Sequence, residues 1–367
     1  MEKKVITVKA PQKSGTKNYH FKNLVFEGGG VKGIAYVGAL KRLEEEGILQ
    51  NIEKVAGTSA GAMVAVLVGL GFSTDELYDI LKTLNFKNFM DSSWGIIRDT
   101  KRLLSDYGWY KGDFFRDLMA GYIEQKTGDG EATFADIAEK REQGMPFRDI
   151  YLIGADLSTG YSKVFSADLT PDAKVADAAR ISMSIPLFFA AIKGLNGDGH
   201  IYVDGGLLDN YAIKVFDRKD YVSDVSNMRR TEYYQKINEK LAEKNMKMKK
   251  SNSINEYIYN METLGFRLDA KEEIGFYLDP NAQPKTKEIK SFFTYTKALI
   301  TTLIDFQNNV HLHSDDWQRT VYIDTLGIGA TDFDISEKKK DELYDSGHLY
   351  TSAYLDWYNN DEEKANK

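Results

Sequence analysis

The sequence predicts an α/β fold on a mostly parallel sheet, and three observations carry that expectation. Leu24-Val25-Phe26 is a short apolar run broken by Gly28-Gly29-Gly30. Ile34, Val37, Leu40 and Leu43 then recur at helical spacing, with Gly47 as the stop. A second apolar strand ends at Ala56 and meets Gly57-Thr58-Ser59-Ala60-Gly61, after which Met63, Val64, Val66 and Leu67 mark a helix apolar nearly all round. Such a helix is expected to be central and buried. Strand, helix, strand, helix in this order is a βαβ signature. Its crossover is right-handed in nearly every known case. The loop at Gly28–Gly33 and the turn at Ser59 are therefore expected side by side at the carboxyl edge, where open α/β sheets place their sites.

The remaining elements follow in chain order. Residues 1–20 are polar, with Pro11, Gly15 and many lysines, and read as a loose arm with a short strand at Val5–Val8. Thr74–Leu84 reads as a helix that Ser73 caps and Glu76 completes as a capping box. Residues 86–112 are aromatic and irregular, holding Phe86, Phe89, Trp94, Tyr107, Trp109 and Tyr110. A helix is expected at Phe114–Ile123, and strands at Tyr151–Asp156 and Tyr161–Phe165 flank a Ser158-Thr159-Gly160 turn. A helix over Lys174–Arg180 leads into Ser182-Met183-Ser184-Ile185-Pro186. Ile201-Tyr202-Val203 is a strand ended by Asp204-Gly205-Gly206.

Composition shifts after about Val222: residues 228–250 hold eight Lys/Arg against three Glu. A solvated charged helix is the first reading of that stretch, and attraction to anionic lipid heads the second. Leu264–Leu268 is a returning strand. Phe292 to Phe306, with Phe293, Thr296, Leu299, Ile300 and Leu303, reads as an amphipathic helix. Thr320–Ile323 is a further strand, and Ser336–Tyr344 and Ser346–Tyr358 are expected as closing helices. The chain shows no internal repeat.

Composition excludes several functions. Of 367 residues 42% are hydrophobic, enough for a sizeable core, and none is cysteine. This rules out disulfides, thiolate metal sites and a cysteine nucleophile. The net charge of −7 weighs against nucleic acid as a partner. The opening Met1-Glu2-Lys3-Lys4-Val5 leads into no apolar signal region, so no signal peptide is expected. No run of about 18 apolar residues exists to span a bilayer. The expected location is cytoplasmic or peripheral at a membrane, and secretion by a signal-independent route stays compatible with these features.

Chemistry concentrates at three turns. Gly28-Gly29-Gly30-Val31-Lys32-Gly33 formally contains G-x-G-x-x-G. A dinucleotide fold wants an acidic residue about 20 positions on, at the end of the second strand, but that strand ends at Gly57-Thr58-Ser59. A phosphate-binding P-loop needs Lys and Ser/Thr after its last glycine, and Gly33 is followed by Ile34-Ala35. Backbone amides at a glycine turn feeding a helix N-terminus instead suit an oxyanion hole. Ser59, in G-x-S-x-G between strand and helix, has the context of a nucleophile elbow.

A serine needs a base, and the five histidines (His20, His200, His311, His313, His348) sit in no suitable context. His200 lies on the same strand as Asp204, about 13 Å away along it. Asp204 ends an apolar strand ahead of two glycines, and burial would raise its pKa toward neutrality. Each turn alone also fits plain chain reversal, and a nucleotide- or protein-binding module stays open on the residues alone.

Together, the blocks Gly28–Gly33, Gly57–Gly61 and Asp204-Gly205-Gly206, in this order, resemble the signature blocks of the patatin-like phospholipase family, in its bacterial type. Ser182-Met183-Ser184-Ile185-Pro186-Leu187-Phe188-Phe189 resembles a fourth family segment. The resemblance covers residues 22–217, and Arg319–Phe333 is similar to a closing segment of many bacterial members. It implies a three-layer α/β/α fold related to the cytosolic phospholipase A2 catalytic domain. It implies lipid acyl hydrolysis by a Ser–Asp dyad, without calcium, another metal or a cofactor.

Carried over, Ser59 is the nucleophile, Asp204 the general base, and the backbone of Gly28, Gly29 and Gly30 the oxyanion hole. Lys32 takes the place of a basic family residue, and Gly33, Gly57, Gly61, Gly205 and Gly206 support the motifs. The run Asn210-Tyr211-Ala212 departs from the family's frequent Asn-Pro or Asn-x-Pro, which bears on local loop shape. The expected organisation is an arm at 1–20, a catalytic core at 21–218, and a portion at 219–367 packed on the same domain. The expected substrates are fatty acyl esters of phospholipids or lysophospholipids, with acyltransferase or thioesterase activity as the alternative on the same fold. Segments 86–112 and 292–306 are the candidates to line an acyl channel or form a lid.

Overall fold

The computed structural model describes residues 19–89, 103, 105–195, 197–247, 256–269, 288–291, 294–296, 298–303 and 315–360. The expected strand at Val5–Val8, Trp94, residues 248–250, and Phe292, Phe293 and Phe306 lie outside the described residues.

The first two strand–helix units form as the periodicity predicts. β1 (Asn23–Phe26) leads through the glycine loop and a 3-10 turn (Gly30–Ile34) into α1 (Ala35–Glu45). β2 (Lys54–Thr58) turns at Ser59 into α2 (Ala60–Gly69). Every residue of α2 is buried, which is why its sequence has no polar face. α3 (Thr74–Thr83) starts with the expected capping box: Ser73 Oγ accepts the Glu76 N–H at 3.2 Å and the Glu76 carboxylate accepts the Ser73 N–H at 2.7 Å.

The later strands are β3 (Gly108–Tyr110), β4 (Asp149–Asp156), β5 (Tyr161–Phe165), β6 (Leu187–Phe189), β7 (Ile192–Lys193), β8 (Ile201–Asp204), β9 (Met228–Arg229), β10 (Tyr259–Asn260), β11 (Thr263–Asp269) and β12 (Thr320–Asp324). Among the described residues the main sheet runs β12-β11-β1-β2-β4-β8-β7, with β5 also on β4. From β12 to β4 all pairings are parallel, whereas β5, β8 and β7 pair antiparallel. Parallel strands covered on both faces need continuous apolar runs, and β1 and β11 are buried along their whole length. β11 and β12 extend the sheet from β1, so late sequence completes the layer begun by the first strand.

Two expectations need correction. Ser336–Tyr344 and Ser346–Tyr358 are not two helices but one, Glu337–Asn360. Gly347, two residues past the expected break at Asp345, is a crossing point. A Cβ there would lie 1.8 Å from Ala35 O of α1, and one at Gly38 would lie 1.9 Å from Tyr344 O. The two backbones touch because neither glycine carries a side chain. Ser346 Oγ donates to Asp324 O at 2.6 Å and ties the same turn to β12. Among the helical residues 294–296 and 298–303, Thr296 and Ile300 face inward, while Leu299 and Leu303 are 46% and 44% exposed. The buried side thus holds Thr296 and Ile300 of the expected face but not the two leucines.

Gly347→Ala tests the crossing. Alanine favours a helix over glycine by about 1 kcal/mol, but overpacking costs about 1–3 kcal/mol. The denaturation midpoint in urea is expected to fall; a midpoint equal to or above the parent's would show that the backbones do not touch.

Candidate active site

Ser59 adopts φ 54° and ψ −124°, in the positive-φ region that non-glycine residues seldom occupy. Its neighbours make that turn sterically feasible. A Cβ at Gly57 would lie 2.1 Å from Gly61 O, and one at Gly61 would lie 2.4 Å from Phe26 O. Both glycines are required by close backbone approach. The Ser59 N–H donates to Ser182 Oγ at 2.9 Å, and Ser182 donates in turn to Ile153 O at 2.6 Å. Ser59 Oγ, nearly buried, donates to Asp204 Oδ2 at 2.8 Å and lies 3.6 Å from Met183 Sδ.

Asp204 reaches this rim from the opposite direction. β2 ends opposite Ile153, and β4 continues through Gly154, Ala155 and Asp156. β8 returns antiparallel along that overhang and ends with Asp204 opposite Gly154, level with the end of β2. The Asp204 N–H donates to Ser184 O at 2.8 Å. Its Oδ1 accepts the Gly206 N–H at 2.7 Å. A Cβ at Gly205 would lie 2.3 Å from Ile153 O, so the chain turns hard against β4.

Burial pushes the Asp204 carboxyl from its ordinary 3.8 up to about 7; the Gly206 N–H and the Ser59 hydroxyl oppose the shift only in part. Its carboxyl thus titrates near neutrality, where a weakly basic aspartate becomes a competent proton acceptor.

The glycine loop packs beside the serine. A Cβ at Gly28 would lie 3.1 Å from Ser59 Cβ, and Gly30 takes φ 57° with Ala330 O where its Cβ would be, at 1.9 Å. The Gly28 N–H donates to Asn210 O at 3.0 Å. Among the described residues, the amides of Gly29, Gly30 and Ala60 find no acceptor. The last sits at the start of α2, where helix amides have no partner of their own. Lys32 Nζ donates to Leu268 O at 3.1 Å, pinning the loop to β11. Gly33 makes only ordinary contact with Ala60.

None of the described histidines meets Ser59: His200 pairs with Asp156 at 2.7 Å, His348 with Glu45 at 3.0 Å, and His20 with Met261 O at 2.9 Å. His311 and His313 lie outside the described residues. Among the described residues no cluster of His, Asp and Glu could hold a metal ion, and no helix is long and apolar enough to cross a membrane.

In the sequence Ser182 and Asn210 stand within motif blocks without a role of their own, and Glu27 lies outside them. Glu27 directly precedes the glycine loop, is buried, and accepts the Leu268 N–H at 2.7 Å. Burial raises its pKa; Asp269 adds to the rise, and Arg267 and Lys32 oppose it. An acid closing an apolar strand ahead of three glycines was the available signal.

The raised pKa of Asp204 has a stability consequence. The fold favours its protonated form, so its contribution is fully present below the unfolded value near 3.8 and is lost as pH rises through about 7. Asp204→Asn cannot ionise. Its stability relative to the parent is expected to grow between pH 4 and pH 8, read from urea midpoints; a pH-independent difference would contradict the shift.

Over residues 24–217 the chain matches the sequence model of the patatin-like phospholipases. It is 28% identical over 344 residues to the uncharacterized protein YqhO of Bacillus subtilis strain 168, across 90% of this chain and 97% of that one. It is 24% identical to the probable lipid hydrolase 463L of Invertebrate iridescent virus 6, across 56% of this chain and 66% of the viral protein. Its fold is similar to that of VipD from Legionella pneumophila, with a TM-score of 0.53 at 16% identity over 92% of this chain and 67% of that one. With the match covering more than half of the sequence, this chain belongs to the patatin-like phospholipase family.

Proposed function

We propose that this protein is a serine lipid acyl hydrolase that cleaves fatty acyl esters of phospholipids or lysophospholipids. The observation that carries the reading is the 2.8 Å hydrogen bond from Ser59 Oγ to a buried Asp204 carboxylate. Family membership, and the viral relative's description as a probable lipid hydrolase, supply the substrate class.

In this reading the ionised Asp204 takes the Ser59 proton as Oγ attacks the acyl carbonyl carbon. The carbonyl π pair moves onto oxygen, and the free amides of Gly29, Gly30 and Ala60 are the donors available to it. The tetrahedral adduct collapses, the ester C–O bond breaks, and the leaving alkoxide takes the proton from Asp204. Water then gives its proton to Asp204 and attacks the acyl-enzyme. Collapse releases the fatty acid and returns the proton to Ser59. No step calls for a metal ion. Residues 21–218 would hold this machinery, with 219–367 completing the same sheet through β11 and β12. The enzyme would meet its substrate from the aqueous side of a membrane.

Ser59→Ala and Asp204→Ala are each expected to lower kcat by at least about 1000-fold, with the fold intact. Because the base must be ionised, kcat/KM should rise with pH to a plateau above about 7. A fluorophosphonate should label Ser59, located by mass spectrometry, and hydrolysis should persist in EDTA. An active Asp204→Ala protein, or an adduct at another residue, would overturn the proposal. Parallel assays of ester and thioester substrates, with and without an alcohol acceptor, separate hydrolase from thioesterase or acyltransferase.

A further inference from the structure

Asn210 stands where three loops meet, and no step of the proposed reaction uses it directly. It is 3% exposed. Its carbonyl oxygen accepts the Gly28 N–H at 3.0 Å. Its side-chain Nδ2 donates to Gly28 O at 3.2 Å and lies 3.4 Å from Glu27 Oε1. Main chain and side chain of one residue thus grip both backbone groups of Gly28. Asn210 Oδ1 also fills the space beside the same glycine: a Cβ at Gly28 would meet it at 2.2 Å, and one at Gly206 at 2.8 Å. The preceding residue is fixed as well, because Thr58 Oγ1 donates to Asp209 O at 3.1 Å. The short run 209–210 therefore joins the serine turn, the aspartate turn and the glycine loop.

The other end of the grip is anchored in the sheet. Glu27 accepts from Leu268 N–H of β11 at 2.7 Å, and Arg267, also buried, stands 3.8 Å from its Oε1. The glycine loop is held between β11 on one side and the aspartate loop on the other. Gly29 and Gly30 follow Gly28 directly, so the aim of their amides depends on where Gly28 is held.

We infer that Asn210 is a positioning residue that fixes the glycine-loop amides relative to the Ser59–Asp204 pair. This rests on the acyl-hydrolase reading above. It also assigns the Gly28 amide to structure, leaving Gly29, Gly30 and Ala60 as donors. The bond geometry demands an amide at this position: Nδ2 must donate to a carbonyl oxygen beside a carboxylate. Aspartate has the same shape but no N–H to donate, and would set a second carboxylate against Glu27.

The test compares Asn210→Ala and Asn210→Asp with the parent, using a p-nitrophenyl acyl ester and a fluorophosphonate probe. Thermal melts establish that each variant is folded. Misplacing a catalytic group by about 1 Å costs on the order of 100-fold in rate. For both variants we expect kcat to fall by about that factor with KM little changed. Phosphonylation of Ser59 should slow in parallel, because the phosphoryl oxygen uses the same amides. For Asn210→Ala the pH midpoint of kcat/KM should not move, since that change adds no charge beside Asp204. A space-filling role would leave Asn210→Asp near the parent rate. If Asn210→Asp does not fold, the Asn210→Ala rates decide alone. Folded variants that turn over and label within about threefold of the parent would overturn this inference alone. A parent protein that neither labels at Ser59 nor hydrolyses the ester would instead defeat the underlying hydrolase reading.

Discussion

At Ser59 the chain holds a non-glycine residue at φ 54°, a conformation that costs about 1–3 kcal/mol and persists only where its surroundings over-determine it. Here the surroundings do so from three sides. Gly57 and Gly61 let the backbones of β2, α2 and β1 approach below the limit any side chain would permit. The Ser59 N–H is held by Ser182 Oγ, which is itself held by Ile153 O. Its hydroxyl is held by Asp204. The helix behind the turn is buried on every face, so the strained residue is backed by packed core rather than by solvent.

The same packing sets the chemistry. Asp204 is buried with only the Gly206 N–H and the Ser59 hydroxyl as partners, and no cation pairs with it among the described residues. A cation there would oppose the rise in pKa and weaken the carboxylate as a base. Glu27, nearby in the rim, is also pushed up to about 7 by burial, although Arg267 and Lys32 offset part of the rise, and it accepts the Leu268 N–H. The two buried acids thus differ in contact rather than in pKa: Asp204 accepts the Ser59 hydroxyl and Glu27 a backbone amide. The ionised Asp204 is unfavourable for folding, and in the proposed reaction it is that form which acts as base, so the site would trade stability for reactivity.

Much of this was legible in the sequence, for identifiable reasons. The βαβ unit is local: 3.6-residue periodicity and glycine breaks mark α1, α2 and their loops directly. The capping box at Ser73 and Glu76 was readable because its partners are three residues apart. The direction of β8 was not readable, because it depends on how far β4 overhangs β2, a property of pairing rather than of β8 itself. The continuity of the closing helix through Asp345, where a break between two helices is expected, was not readable, because it is fixed by the crossing with α1 at Gly347, two residues on. Ser182 and Asn210 make their contacts with Ser59 and Gly28, more than a hundred residues away, so no local pattern could give them roles. Their only signal was membership of, or proximity to, blocks that resemble a family.

The proposed chemistry depends on the protonation of one buried carboxyl beside one hydroxyl. The most direct measurement is the titration of Asp204 by ¹³C NMR of aspartate carboxyl carbons, with its resonance identified by its loss in Asp204→Asn. The expected midpoint for Asp204 is about 7. A resonance for Asp204 that titrates near 4, together with the exposed carboxyls, would contradict it.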